Sequence, residues 1–295
     1  MLHFYPKPLG ILLCISLIAC SKSKKPDEAP PAIFGAATGV ALHRDFPGEV
    51  SGLADSYSYP GSLWMIEDGG NAALLQRVSQ DGVLQPSLTI NGVTNRDWED
   101  LAMGPGPDPS KNYLYIAETG DNDRKYAEYA FYRLEEPPPG TSAVNQVEAI
   151  RFRYSDGASH DAGAILVDPS TKDLLVVTKE KPAAIYRIQY PYQTTALNTA
   201  EAMGVTNLET VTGAAMGKDG QEILLRTYTG IYYWKKKSGE TVSDALKRAP
   251  AALTVMLEPQ GESIAFKNDL TGFYSLSENA GLPVQLRLFF YPRKN

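Results

Sequence analysis

The chain has 295 residues, a formal net charge of −6 and 43% hydrophobic residues. This length and apolar content suffice for one globular domain of about 250 residues behind an N-terminal segment. The negative charge argues against a general nucleic-acid binder, because such proteins need a basic surface to neutralise phosphates. We therefore expect no nucleic-acid partner, and we expect a monomer.

Residues 1–19 are predicted to be a signal peptide. Leu9–Ala19 is an apolar run that is too short to span a bilayer but has the length of a signal h-region. The run ends in Leu17-Ile18-Ala19-Cys20, which resembles the lipobox of bacterial lipoproteins, in which the cysteine is lipidated. We expect a lipid-anchored protein of the bacterial cell envelope that faces the periplasm or the cell surface and contacts the membrane through its anchor only. The alternative is an ordinary signal peptide with a chance cysteine.

The rest of the chain divides into a tether and one domain. Residues 20–33 are polar and contain prolines, which favours a flexible tether, and residues 34–295 form the predicted domain. Cys14 and Cys20 are the only cysteines. The domain therefore has no thiol for a disulfide, a zinc site or a nucleophile.

A unit of about 50 residues recurs five times in the domain. Each copy opens with small residues and continues with short β-rich runs separated by turns. The openings are SGLA (51–54), EDLA (99–102), AGAI (162–165), TGAA (212–215) and GESI (261–264). A period of this length, built from short strands, indicates an all-β propeller. We predict five blades; six remain an alternative, because the interval between the second and third openings is long.

The strand count predicts how the ring closes. Four outermost strands are expected, at Leu84–Ile90, Val147–Tyr154, Ala200–Thr206 and Ala252–Leu257. Five blades need a fifth, and Thr38–Arg44 is the remaining candidate. It would pair with Val284–Tyr291 and remove an exposed sheet edge.

Charged residues concentrate where the first strand of each unit starts and the second strand ends. Propeller geometry places these positions at one mouth of the central channel, the default place for a ligand. The turns at the other mouth have ordinary hairpin sequences and need no functional explanation. The candidate ligand-binding residues are Arg96, Asp97, Glu99, Asp100, Asp121, Asn122, Lys179, Arg226, Glu262 and Glu278.

Three kinds of chemistry are open to this set. Hard oxygen ligands suit Ca²⁺, and the candidate metal ligands are Asp97, Glu99, Asp121 and Asp123. Alternatively, Lys179, Arg96 and Arg226 could hold an anionic group. Glu262 and Glu278 could act as acid and base if burial splits their pKa values. A Ser-His-Asp triad would have to use His160, and a polar loop histidine is the simpler interpretation.

Several motifs are more specific than the repeat itself. The second unit contains DWED at Asp97–Asp100, a G-D-N loop at Gly120–Asn122 and YRLEEP at Tyr132–Pro137; later units contain DAGA at Asp161–Ala164, VTGA at Val211–Ala214 and PQGES at Pro259–Ser263. Together they resemble a bacterial β-propeller lipoprotein family that has no assigned activity. That family is similar in architecture to phytase-like, gluconolactonase-like and NHL propellers, which include Ca²⁺-dependent hydrolases and binding modules. The chain departs from the family at Gly163, where a glutamate is usual.

The leading hypothesis is a lipid-anchored propeller that binds a carbohydrate, a peptide or a small anionic molecule at this mouth. The alternative is a Ca²⁺-dependent hydrolase of phosphoesters or lactones at the same place, so the sequence leaves open whether the protein is an enzyme. A scaffold protein that uses its outer surfaces is the third hypothesis. Trp98 or Tyr126 facing the mouth would favour sugar or peptide binding.

Overall fold

In the computed structural model, which describes Met1 and residues 33–294, the chain is almost entirely β. The chain divides into residues 1–31 and a compact unit over residues 32–295. Apart from Met1 and Ile33, the predicted signal peptide and tether, with Cys20, lie outside the described residues. Among the residues that are described, no helix has the length and apolar character needed to cross a membrane.

Short strands follow one another with tight turns, as the repeated β-rich runs predict. In chain order the elements are β1 (Thr38–Ala41), β2 (Val50–Asp55), β3 (Ser62–Glu67), β4 (Leu74–Ser79), β5 (Leu84–Ile90), β6 (Trp98–Gly104), β7 (Tyr113–Glu118), β8 (Tyr129–Glu135), β9 (Ala143–Val144), β10 (Glu148–Tyr154), β11 (Ala164–Val167), β12 (Leu174–Val177), β13 (Ala184–Ile188), β14 (Asn198–Val205), β15 (Val211–Met216), β16 (Glu222–Thr227), β17 (Ile231–Lys235), α1 (Val242–Leu246), β18 (Ala251–Ala252), β19 (Gln260–Phe266), β20 (Gly272–Glu278) and β21 (Arg287–Pro292).

Each repeat forms an antiparallel meander. The meanders are β2-β3-β4-β5, β6-β7-β8-β10, β11-β12-β13-β14, β15-β16-β17-β18 and β19-β20-β21, and β1 is added to the last of them. The second and third meanders join into one eight-stranded sheet, because β10 and β14 pair in parallel with Phe152 opposite Asn198. Short β9 pairs in parallel with β5 at the edge of the first meander.

The first strands of the meanders, β2, β6, β11, β15 and β19, are the inner strands. Each contacts the next along the chain, and β19 contacts β2. Their backbones approach so closely that some positions require glycine. A Cβ on Gly52 would lie 2.5 Å from the amide nitrogen of Leu101, and one on Gly213 would lie 2.2 Å from the carbonyl oxygen of Glu262. This crowding explains why the repeats open with small residues.

Apolar layers pack consecutive meanders together. One buried cluster joins Trp64 of the first meander to Ile116 and Leu134 of the second. Another joins Leu53 of the first meander to Leu276 of the last. A single meander could not bury both of its faces alone, so these layers hold the repeats together.

The N-terminal strand pairs with the last strand of the chain. β1 lies antiparallel to β21, with Thr38 opposite Phe290, and the amide of Leu42 continues the ladder to the carbonyl of Leu286 at 2.9 Å. The regular strand ends at Ala41, three residues before the predicted boundary at Arg44.

The outermost strands differ in how well the sequence locates them. β5 and β10 match the predicted ranges closely, whereas β18 spans two residues where Ala252–Leu257 was expected. Beyond this strand, the amide of Met256 donates to the hydroxyl of Tyr291, in the next meander, at 2.9 Å. The short helix α1 is capped by Thr241, whose side chain accepts from the amide of Asp244.

Candidate functional site

Four inner strands carry a β-bulge near their start. The bulged positions are Ser51, Glu99, Thr212 and Glu262. The hydroxyls of Ser51 and Thr212 bond neighbouring inner strands, to the carbonyls of Trp98 at 2.8 Å and Gly261 at 2.7 Å. Bulges re-aim side chains and often occur beside functional sites. Glu99 and Glu262 thus occupy equivalent bulge positions in the second and fifth repeats. At the same position in the first and fourth repeats, Ser51 and Thr212 use a hydroxyl to bond the neighbouring inner strand.

Six carboxylates gather around one lysine at this end of the inner strands. We call this group the acidic end; its members are Asp68, Asp97, Glu99, Asp161, Glu262, Glu278 and Lys179. The ammonium of Lys179 lies 2.9 Å from Oε1 and 2.7 Å from Oε2 of Glu99. One carboxylate oxygen each from Asp68, Asp97 and Glu99 can lie within 4.8 Å of the others. The acidic end therefore has six acidic side chains and one basic one.

The crowding changes the acidity of its members. Burial, and then the charge of Asp68, raise the pKa of Asp97 to about 6. Burial raises the pKa of Glu99 well above its usual value, while Lys179 opposes this rise. Although burial lowers the pKa of Lys179, the charges of Glu99, Asp161 and Glu262 raise it more. Lys179 is therefore firmly protonated, whereas Asp97 and Glu99 hold their protons more tightly than usual.

Glu262 and Glu278 form a linked pair on the last meander. The side-chain amide of Gln260 donates to both, at 3.0 Å to Glu262 and 2.9 Å to Glu278. Burial raises the pKa of Glu262 to about 7, and burial with the charge of Glu262 raises that of Glu278 to about 8. Both carboxyls are thus shifted in the same direction, and the two values lie only about one unit apart, so burial does not split the pair widely.

The side chains of Asp121, Asn122 and Asp123 do not join the acidic end, although the backbone amide of Asp121 donates to Asp161 at 2.9 Å. The carboxylate of Asp121 accepts the amides of Lys125 and Tyr126, each at 2.9 Å, and the hydroxyl of Tyr129 at 2.8 Å. These bonds lower the pKa of Asp121 although burial opposes them. Asn122 is exposed, and Asp123 pairs with Lys125 at 3.1 Å on the surface. The G-D-N loop therefore uses its acid to fix its own backbone.

The predicted cations already have acidic partners. Arg226 is buried and lies 2.6 Å from Glu258, and Arg96 lies 3.6 Å from Glu118. The guanidinium of Arg96 also lies 3.9 Å from the ring centre of Tyr126. Because Lys179 is paired with Glu99, none of the three cations is free to hold an anionic ligand.

Asp100 is fully buried beneath the acidic end. Its Oδ1 accepts the amide of Leu101 at 2.8 Å, and its Oδ2 accepts the amides of Ile165 at 2.8 Å and Ala214 at 3.1 Å. The side chain thus joins the second, third and fourth meanders across the interior of the ring of inner strands. Burial raises its pKa well above the usual value. We assign Asp100 a structural role.

Trp98 and Tyr126 are the two aromatic residues that would favour sugar or peptide binding if they faced the mouth. Trp98 is fully buried against Tyr132, and Tyr126 is half-buried under Arg96. Tyr228 is the aromatic residue near the acidic end, where burial raises its pKa and the charges of Lys179 and Glu262 act on it.

The sequence places Asp68 and Asp161 at this mouth, but neither was selected as a candidate ligand-binding or metal residue. Each lies next to a strand end that the repeat located, directly after β3 and shortly before β11, and this position was the available signal. Asp161 supplies a carboxylate from the third repeat, where Gly163 lacks one. A Cβ on Gly163 would lie 2.6 Å from Cε of Lys179 and 2.9 Å from the backbone of Thr212. Glycine there leaves room for the lysine.

His160 is held by two acids. Its Nδ1 lies 2.6 Å from Glu180, and its Nε2 lies 2.9 Å from Asp156 and 3.0 Å from the hydroxyl of Tyr186. Both ring nitrogens are therefore occupied by groups other than a serine hydroxyl, so His160 is not placed to activate one.

Comparisons with known proteins show no family and no function for this chain. No protein-family model and no curated protein sequence matches the chain. Among solved structures, a chain of Kuenenia stuttgartiensis hydrazine synthase is similar at 11% identity and a TM-score of 0.42, over 85% of this chain and 96% of that one. Similarity at this level carries no argument about activity. The resemblance to the propeller lipoprotein family stays a prediction.

Proposed function

We propose that the chain is a five-bladed β-propeller whose acidic end binds a ligand through a cationic group. The cyclic contacts of the inner strands and the pairing of β1 with β21 support five blades closed by the N-terminal strand. One observation supports the cationic ligand: six carboxylates converge on a single lysine that Glu99 already neutralises.

The binding classes considered from the sequence are not equally favoured. A small anionic molecule would meet uncompensated carboxylates, because Arg96, Lys179 and Arg226 are already paired. An ammonium group suits the acidic end, since the one on Lys179 already lies among these carboxylates. Tyr228 offers an aromatic surface next to a bound cation or sugar ring. An amino sugar or the amine of a peptide is therefore the ligand that we propose.

Calcium-dependent hydrolysis is the second candidate. The oxygens of Asp68, Asp97 and Glu99 lie within 4.8 Å of one another, which fits ligands placed around one Ca²⁺. Asp68 and Asp97 would supply most of the negative charge around the metal, because Glu99 is already paired with Lys179. Bound calcium would supply Lewis-acid polarisation of a phosphoester or lactone oxygen. Asp121 and Asp123 are not part of this set.

Calorimetric titration of the full chain in lipid nanodiscs tests both candidates. Glucosamine, N-acetylglucosamine and glucose differ chiefly in charge, and we expect only glucosamine to bind. CaCl₂ and MgCl₂ test the metal. Asp97→Asn should weaken binding of whichever cation binds by about tenfold or more, while Asp123→Asn should leave it unchanged. If neither glucosamine nor Ca²⁺ binds, or if both variants behave alike, the proposed site is wrong.

Closure by the N-terminal strand has its own test. Deleting residues 37–45 would expose the edge of β21, so we expect unfolding or aggregation. Circular dichroism and light scattering measure both. A deletion variant with the melting behaviour of the intact chain would contradict closure.

We also propose that Cys20 carries a lipid that anchors the domain to the cell envelope, on the basis of the LIAC sequence. A Cys20→Ser variant should leave the membrane fraction. Unchanged membrane association would contradict the anchor.

A further inference from the structure

A cavity lies at the opposite end of the inner strands. It has a volume of about 260 Å³ and is lined by the last residue of every inner strand: Asp55, Gly104, Val167, Met216 and Phe266. The acidic end lies at the starts of the same strands. This second end contains the hairpin turns that the sequence explains without function.

The cavity is closed on its inner side by the residues that bond Asp100. Leu101, Ile165 and Ala214 all donate amides to the Asp100 carboxylate, and all three line the cavity. On the other side, the charge of Glu262 contributes to the raised pKa of Asp100. Asp100 therefore separates the acidic end from the cavity, and the two are distinct sites.

The walls of the cavity are apolar and partly adaptable. Leu53, Val167 and Phe266 are buried there, and Met103 and Met216 are half-buried. Methionine side chains adjust to irregular shapes and make favourable contacts with aromatic rings. An apolar cavity of about 150 Å³ holds a benzene molecule. The present cavity therefore has room for one aromatic ring with a short substituent.

Lysines lie along the rim of the cavity. Lys111, Lys218 and Lys267 line it, against one acid, Asp55. The carboxylate of Asp55 accepts the backbone amide of Asn268 at 2.7 Å. Lys111 and Lys267 form pairs with Glu135 and Asp269, of a kind that adds little stability. Lys218 is exposed and makes no ion pair within residues 33–294.

We infer that this cavity binds a small aromatic monocarboxylate, with the ring among Leu53, Met103, Met216 and Phe266 and the carboxylate at the lysine rim. The site would be independent of cation binding at the acidic end. Burial of the ligand's aromatic ring against the apolar walls would supply affinity. The lysines of the rim would favour a negatively charged ligand.

The test compares three ligands that share one apolar body. Calorimetry of the full chain in lipid nanodiscs would use 3-phenylpropionate, 3-phenylpropan-1-ol and 3-phenylpropylamine at pH 8 and low salt. We expect the carboxylate to bind at least about tenfold more tightly than the alcohol, and the amine to bind least. No binding by any of the three, or binding of the amine as tight as that of the carboxylate, would overturn the inference.

Two kinds of variant sharpen the result. Lys218→Glu should weaken carboxylate binding severalfold and leave alcohol binding unchanged, whereas Lys237→Ala, at an exposed lysine outside the cavity, should change neither. Met103→Trp should fill the cavity and abolish binding of all three ligands. Lys218→Glu changes an exposed side chain and so stays informative if Met103→Trp fails to fold. Carboxylate affinity unaffected by Lys218→Glu would also overturn the inference.

Discussion

The two ends of the inner strands have opposite chemistry although the same repeats build them. At the strand starts, bulges and adjacent loops bring carboxylates from several repeats around Lys179. At the strand ends, apolar side chains enclose a cavity with lysines on its rim. The fold provides two places where all repeats converge, and the residues that break the repeat decide what each place can bind.

Asp100 illustrates this difference. The equivalent positions in the other repeats are Gly52, Gly163, Gly213 and Ser263, all small. One carboxylate among small residues can reach amides of two other meanders and fill the narrow interior between the two ends. A single irregular residue thus makes the separation that keeps the ends distinct.

The largest effect on stability should come from removing the Asp100 carboxylate. Asp100→Ala leaves three buried amides without their acceptor, so we expect a loss of about 3–5 kcal/mol in the free energy of unfolding. Urea denaturation measures the loss. Asp123→Ala, which removes only a surface pair with Lys125, should change stability by less than about 0.5 kcal/mol. A loss below about 1 kcal/mol for Asp100→Ala would mean that this carboxylate does not hold the meanders together.

An intermediate effect should appear in the pH dependence of stability. The pKa of Glu262 rises from an ordinary 4.5 to about 7 in the folded chain, and that of Glu278 rises to about 8. The folded chain therefore holds these protons more tightly than the unfolded chain. Their contribution to stability is fully present below about pH 4.5 and is lost as the pH rises through 7 and 8.

Removing the carboxylates should remove this loss. Glu262→Gln should be more stable than the unmodified chain at pH 9 by up to about 3 kcal/mol, and similar to it at pH 4. Glu278→Gln should change in the same direction. Glu135→Gln, at a surface pair, is the matched control and should show no such dependence. If the stability of Glu262→Gln and that of the unmodified chain changed in parallel with pH, the surroundings of Glu262 would not raise its pKa.

The smallest effect on stability should be the most specific for the acidic end. A Cβ on Gly120 would lie 2.3 Å from Cγ of Asp97 and 2.6 Å from Oε1 of the buried Glu99. Gly120→Ala should cost about 1–2 kcal/mol of stability and displace both carboxylates. We expect cation affinity to fall by about tenfold in calorimetry and 3-phenylpropionate affinity to stay unchanged. Gly35→Ala, whose nearest contact is 3.3 Å from Pro292, is the control.

The sequence by itself determined the repeat, the positions of most strands and the pairing partner of the N-terminal segment. Strand periodicity and small-residue openings are local signals in the sequence, and they recur in every repeat. The same periodicity located the end where Asp97, Glu99, Lys179, Glu262 and Glu278 meet. When the repeats stack around a common axis, the equivalent strand ends of all repeats come together.

Only the tertiary structure decided which of the charged residues act together. Three predicted site residues already have partners within the fold. The carboxylate of Asp121 accepts loop amides, Arg96 pairs with Glu118, and Arg226 pairs with Glu258. Asp68 and Asp161 look ordinary in the sequence and still lie in the acidic end. The cavity was invisible for the same physical reason. Charge partners and enclosed volumes depend on distances between repeats, and a single sequence records only the order of residues within them.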